Sequence, residues 1–230
     1  MTTLKKRLET YRIKYCGRQK NNREWRCELN NKEYPTISNC KYRTYLIGSM
    51  ESPAQLDGGV GWRTVLAPEL ASRGIFVFDP TREEINKIGM SLKESMDKLD
   101  GWVRSGHREE FKNHMELIWR GKEDVRRNPE TQRFEQIHIM GDLDYVNTSD
   151  FLIFNYNDGD RLGGTIGEAF CAWEHCIPIY LVTKIPLSNI NKSILAWVLN
   201  SGNGAGDIFA NKNQLLEFLD KKYNLTKEKE

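Results

Sequence analysis

Four short apolar runs punctuate the chain, each bounded by glycine, proline or polar residues. Tyr45-Leu46-Ile47 runs into Gly48, Ile75-Phe76-Val77-Phe78 stops at Asp79-Pro80, Phe151 to Phe154 is followed by Asn155, and Ile177 to Val182 carries Pro178 near its start. Runs of this length without polar alternation read as strands buried on both faces. Between them the spacing lengthens toward 3.6. A helix over about Trp62 to Ser72 places Val65, Leu66 and Leu70 on one face and closes at Arg73-Gly74, where a glycine C-cap belongs. Residues 82–127 are charged and helical in pattern, with Ile85, Ile88, Leu92 and Met96 as the apolar stripe. Further helices are predicted over Thr131 to about Met140, Thr165 to about His175, Ile190 to Leu199 and Lys212 to Lys222. Strands alternating with helices predict an α/β fold, a parallel sheet with helices on both faces. In such sheets the ligand crevice lies beyond the carboxyl ends of the strands. That rule points to the loops after Ile47, Phe78 and Phe154.

Residues 1–43 show no such pattern and read as an extension of an α/β domain over 44–230. Residues 1–44 carry twelve Lys and Arg against four acids, a balance of +8 in a chain of net charge +2, so the body is acidic. With Tyr11, Tyr15, Trp25 and Tyr34 interleaved, the arm has the makings of a nucleic-acid contact, stacking plus phosphate neutralisation. A solvated extension accounts for it equally well. No apolar run approaches the roughly 18–20 residues a membrane span needs. The start, MTTLKKRLETYRIKY, lacks the apolar stretch of a secretory signal, so the expectation is a cytoplasmic protein with reduced thiols. The five cysteines show no metal-ligand spacing, and no metal site is expected.

Three segments on the crevice loops carry polar chemistry. The first is Gly48-Ser49-Met50-Glu51 with Asp57-Gly58-Gly59 and Trp62-Arg63. The second is Asp142 to Asp150, and the third runs from Asp158 through Asp160 and Gly164-Thr165 to Glu168. Glycines admit close backbone approach, and helix starts offer free N–H groups to anions. Thr165-Ile166-Gly167-Glu168 also has the form of a capping box, Asp142 that of a helix or turn cap, and Tyr45 that of a packed core residue.

In this order the motifs resemble the nucleoside 2-deoxyribosyltransferase family and its nucleotide N-glycosidase relatives: Tyr-Leu-x-Gly with a following Trp-Arg, Asp-x7-Asp before a strand, and Gly-Thr-x-x-Glu before a helix. The resemblance spans roughly Tyr45 to Val182. It implies a flavodoxin-like sheet, no cofactor, and cleavage or transfer of the N-glycosidic bond of a nucleoside or its 5′-monophosphate. It also implies a glutamate nucleophile, a glycosyl-enzyme and a homo-oligomer. By resemblance Glu168 is the nucleophile, Asp142 contacts the nucleoside and Tyr45 stands beside Glu168. A carboxylate on one face of an oxocarbenium-like transition state is what such a reaction needs, with a proton donor for the departing base. The family's polar residue six positions before the glutamate is Leu162 here, which leaves the donor open between Asp158 and Asp160. Gly48, Ser49, Arg63, Gly164 and Thr165 are the further expected substrate contacts, Ser49 and Arg63 toward a 5′-phosphate. The competing expectation is a nucleotide-sensing or nucleic-acid-binding module on the same fold without turnover.

Overall fold

The computed structural model describes residues 40–50, 60–82, 88–128 and 131–225. Residues 1–39 of the basic arm, Glu51, Asp57-Gly58-Gly59 and Ile85 therefore lie outside the described residues. The main sheet has five parallel strands: β1 (Tyr42–Gly48), β2 (Ile75–Phe78), β5 (Phe151–Tyr156), β6 (Ile179–Thr183) and β7 (Asp207–Phe209), in the spatial order β2-β1-β5-β6-β7. Taken in chain order within this sheet, that is 2-1-3-4-5, the flavodoxin-like winding with its switch point beside β1. β1 begins at Tyr42, so Tyr42 and Arg43, expected at the end of the extension, belong to the strand.

Period-two alternation sorts the strand residues between two cores. Tyr45, Ile47, Leu152, Phe154, Ile179 and Leu181 face one side. There they meet α4 (Asp142–Thr148), α5 (Gly163–Glu174) and α6 (Lys192–Gly204) through Val146, Ala169, Ala172, Ile194 and Val198. Leu46, Ile75, Phe151, Ile153 and Tyr180 face the other. α1 (Val60–Ala71) and α7 (Lys212–Tyr223) cover them with Leu66, Leu70, Leu215, Leu216 and Leu219. The buried stripe of α1 is Arg63, Leu66, Ala67 and Leu70. Val65, expected on that stripe, is instead 52% exposed, because the arginine three residues before Leu66 takes the inward position.

The long charged region, helical in pattern by sequence, is only partly helical. It forms α2 (Leu92–Ser105), opened by a Ser91–Glu94 capping box, then α3 (Arg108–Arg120), then β3 (Lys122–Arg127). β3 pairs antiparallel with β4 (Phe134–Ile139), and the two form a separate ribbon. The helix expected over Thr131 to Met140 is therefore this strand. Ribbon residues such as Val125 and Phe134 are exposed, so no buried face imposes apolar alternation on them. The ribbon is pinned at its base where Gly121, at φ +68°, abuts Gly141; a Cβ on Gly121 would collide with the Ile139 carbonyl. No described helix is long and apolar enough to cross a membrane.

Candidate active site

Tyr45 sits in the middle of β1 with no solvent exposure, its ring held by Tyr145 of α4 at 5.6 Å between centroids. Its Oη donates to Oε1 of Glu168 at 2.8 Å, across 123 residues of chain. Glu168 is 7% exposed and projects from the second turn of α5. The capping-box alternative for Glu168 does not hold. α5 begins at Gly163, its N-cap is Leu162 with no side-chain cap, and Thr165 lies inside the first turn. The carboxylate is thus turned to the strand instead of to its own helix start.

Asp142 is the first residue of α4 and is also buried. It is near enough to act on the Tyr45 phenol. Burial drives that phenol well above its usual value of 10, the negative charges of Asp142 and Glu168 add to the effect, and Arg63 opposes it. Tyr45 therefore remains a donor throughout the working range, and the Tyr45, Glu168 and Asp142 side chains share one electrostatic neighbourhood at the α4/α5 face. One turn beyond Glu168, Cys171 is pushed up to about 11 by burial and then by Glu168 and Glu174, so it stays a thiol. Its Sγ lies 3.3 Å from His175 Nδ1.

The α5 start brings Gly164 and Thr165 to the same end of the sheet, Gly164 exposed and Thr165 buried. First-turn N–H groups of a helix have no intrahelical acceptor, so this end offers donors to a ligand. Trp119 of α3 lies along this face; a Cβ on Gly167 would stand 2.7 Å from its ring. Asp158 is exposed, and Asp160 is half-buried with Oδ2 accepting the Asn157 N–H at 2.8 Å, which closes the loop turn.

The first loop differs more from expectation. Gly48 is needed for packing: a Cβ there would lie 2.8 Å from the Asn155 carbonyl and 3.3 Å from the Trp62 ring. Ser49 is 2% exposed, and its hydroxyl has no hydrogen-bond partner among the described residues. Arg63 is wholly buried. Its Nη2 donates to the carbonyls of Gly48 at 3.0 Å and Leu46 at 3.3 Å, its Nε stands 3.8 Å from Asp79 Oδ1, and its guanidinium lies 4.5 Å from the Trp62 ring centre. That is the geometry of a strut bracing the end of β1, in place of the expected phosphate contact. Asp79, which the sequence marks only as a strand stop, is its buried counter-charge and also accepts from Thr81 N at 3.0 Å and Oγ1 at 2.7 Å.

A second unforeseen cluster joins the ribbon to the site. His138 of β4 bridges Glu123 Oε1 through Nδ1 and Asp144 Oδ2 through Nε2, both at 2.8 Å. Asp144 Oδ2 also accepts Gly141 N–H at the start of α4, two residues from Asp142. Glu123 and His138 face each other in the ladder, but that pairing is visible only once the ribbon register is known.

A cavity of about 310 Å³ opens beside Trp62, Leu66, Ile153 and Val182. These side chains lie on the α1/α7 side of the sheet, so the cavity and the Tyr45–Glu168 pair are on opposite faces. At the pair, two buried carboxylates lie beside a phenolic donor, whereas no carboxylate is among the described residues lining the cavity. Among the described residues, no group of three His, Cys, Asp or Glu is arranged to hold a metal.

No family model matches the chain, and no curated protein matches it. Among solved structures, the chain is similar to a 2-deoxyribosyltransferase from the psychrotolerant bacterium Bacillus psychrosaccharolyticus. The two are 16% identical, with 81% of this chain and 99% of that chain covered, at a TM-score of 0.45.

Proposed function

We propose that the protein cleaves or transfers the N-glycosidic bond of a nucleoside or nucleoside 5′-monophosphate, with Glu168 as nucleophile. The observation that carries this reading is the buried hydrogen bond from Tyr45 of β1 to Glu168 of α5. A carboxylate held by one oxygen on a strand-anchored phenol is oriented before substrate arrives. In the first step a Glu168 oxygen bonds to the anomeric carbon while the bond to the base nitrogen breaks, its electron pair leaving with the base. A proton then has to reach the base, and Asp158 and Asp160 on the loop before α5 are the candidate donors. Asp142 holds the nucleoside. In the second step water or a second base attacks the anomeric carbon and frees Glu168, giving hydrolysis or exchange. Ser49, with its hydroxyl unpartnered among the described residues, is the contact we assign to a 5′-phosphate.

The test is incubation with a panel of nucleosides and their 5′-monophosphates, with and without a second free base, followed by chromatography of the bases. Wild type should release base from at least one compound, and Glu168→Gln should fall to background while its melting transition survives. Undiminished release by Glu168→Gln, or no release by wild type from any compound, overturns the reading.

A further inference from the structure

We propose that the cavity on the α1/α7 face is a second binding site, for a small organic monocarboxylate with an apolar body. Its walls are the Trp62 ring, Val65 and Leu66 of α1, with Ile153 of β5 and Val182 of β6. Among the described residues no acidic side chain lines it. At about 310 Å³ it has the size of a small-ligand pocket. The polar groups at its border share one property. Lys212 makes no ion pair or hydrogen bond among the described residues, nor does the Asn155 side chain. Lysine can only donate, and the asparagine amide can donate too. A cation and an amide at the border of one apolar cavity point to an acceptor-rich, negatively charged head.

A separate observation agrees. Lys212 is the first residue of α7, and no acid stands in that first turn. A cation at a helix N-terminus opposes the helix dipole, the reverse of the favoured arrangement. A bound carboxylate at the mouth would meet the lysine and the positive helix end together, with its apolar part against Trp62 and Ile153. The Tyr45–Glu168 pair lies across the sheet, so this site stands whether or not the glycosidic reading does.

The experiment is titration of the full chain with benzoate and with hexanoate, followed by tryptophan fluorescence and calorimetry. Benzamide supplies the apolar body without charge, and inorganic phosphate supplies charge without the body. Benzoate or hexanoate should bind saturably and the two controls should not. Lys212→Met, a surface change, should weaken carboxylate binding by between about tenfold and a hundredfold, the range of a charge-assisted contact. Glu168→Gln should leave that binding unchanged. Absence of saturation by both carboxylates, equal affinity in Lys212→Met, or loss of binding in Glu168→Gln would each overturn the proposal.

Discussion

Arg63→Met separates two roles for one side chain. Methionine keeps the stem in the α1 stripe and removes the guanidinium. The carbonyls of Leu46 and Gly48 then lose their donor, and Asp79, 5% exposed, loses the cation 3.8 Å away. Removing one partner of a buried ion pair costs about 3–5 kcal/mol. Asp79 keeps both Thr81 donors, with Arg82 Nε at 3.8 Å, so the lower end applies, about 3 kcal/mol. Set against a total stability of about 5–15 kcal/mol, the variant folds but melts roughly 6–12 °C lower. Calorimetric melts and urea midpoints read this directly. Adding Asp79→Asn should restore part of the loss, by about 0.5–3 kcal/mol of coupling. A phosphate-contact role predicts something else: near-normal melting and a selective fall in kcat/KM for a 5′-monophosphate, the pattern we expect of Ser49→Ala. If Arg63→Met melts within about 2 °C of wild type, the strut argument is wrong.

Two further outcomes follow from the geometry. Tyr45→Phe removes the donor to Glu168 without changing the ring; a charge-assisted bond of about 1.5–3 kcal/mol predicts a kcat about tenfold to a hundredfold lower with little change in KM, and an unchanged kcat refutes the orienting role. His138 is held above the usual 6.5: partial burial lowers it, but the Asp144 and Glu123 hydrogen bonds and charges together outweigh that. A raised folded value means its stabilisation is complete below 6.5 and lost as pH rises through the folded value, so the melting difference between wild type and His138→Gln should be larger at about pH 6 than at about pH 9. A difference that does not vary with pH would show that the imidazolium is not what joins the ribbon to α4.

The buried strands were legible because both their faces are apolar, which leaves an uninterrupted run in the chain. β7 was not: three residues, Asp207-Ile208-Phe209, at the sheet edge are too few to show a pattern. The ribbon escaped for the opposite reason, since KEDVRR carries no apolar face and its structure comes from pairing with a distant segment. α5 is legible as a helix, but Thr165 resembles its N-cap although the helix starts two residues earlier at Gly163, and that shift alone makes Glu168 look like a cap. Arg63 could not be read at all from composition. An arginine beside Trp62 looks like a surface cation, and only the meeting of α1 with the ends of β1 and β2 puts it inside. Glu168, Tyr45 and Asp142 are separated by up to 123 residues, and their meeting depends on the winding order of the sheet.

That separation bears on how the chain becomes competent. β1 leaves the ribosome about a hundred residues before its neighbour β5, and Glu168 follows later still. Until then one edge of a strand that is largely buried in the finished fold has no ladder partner, the kind of edge that recruits strands from other chains. Pairings this distant form slowly. The Tyr45–Glu168 bond can close only after β1, β5 and α5 have docked, so its formation marks the end of assembly. Recovery of activity during refolding should therefore trail recovery of helical signal, and nascent chains stalled before β5 should be the species most prone to aggregate.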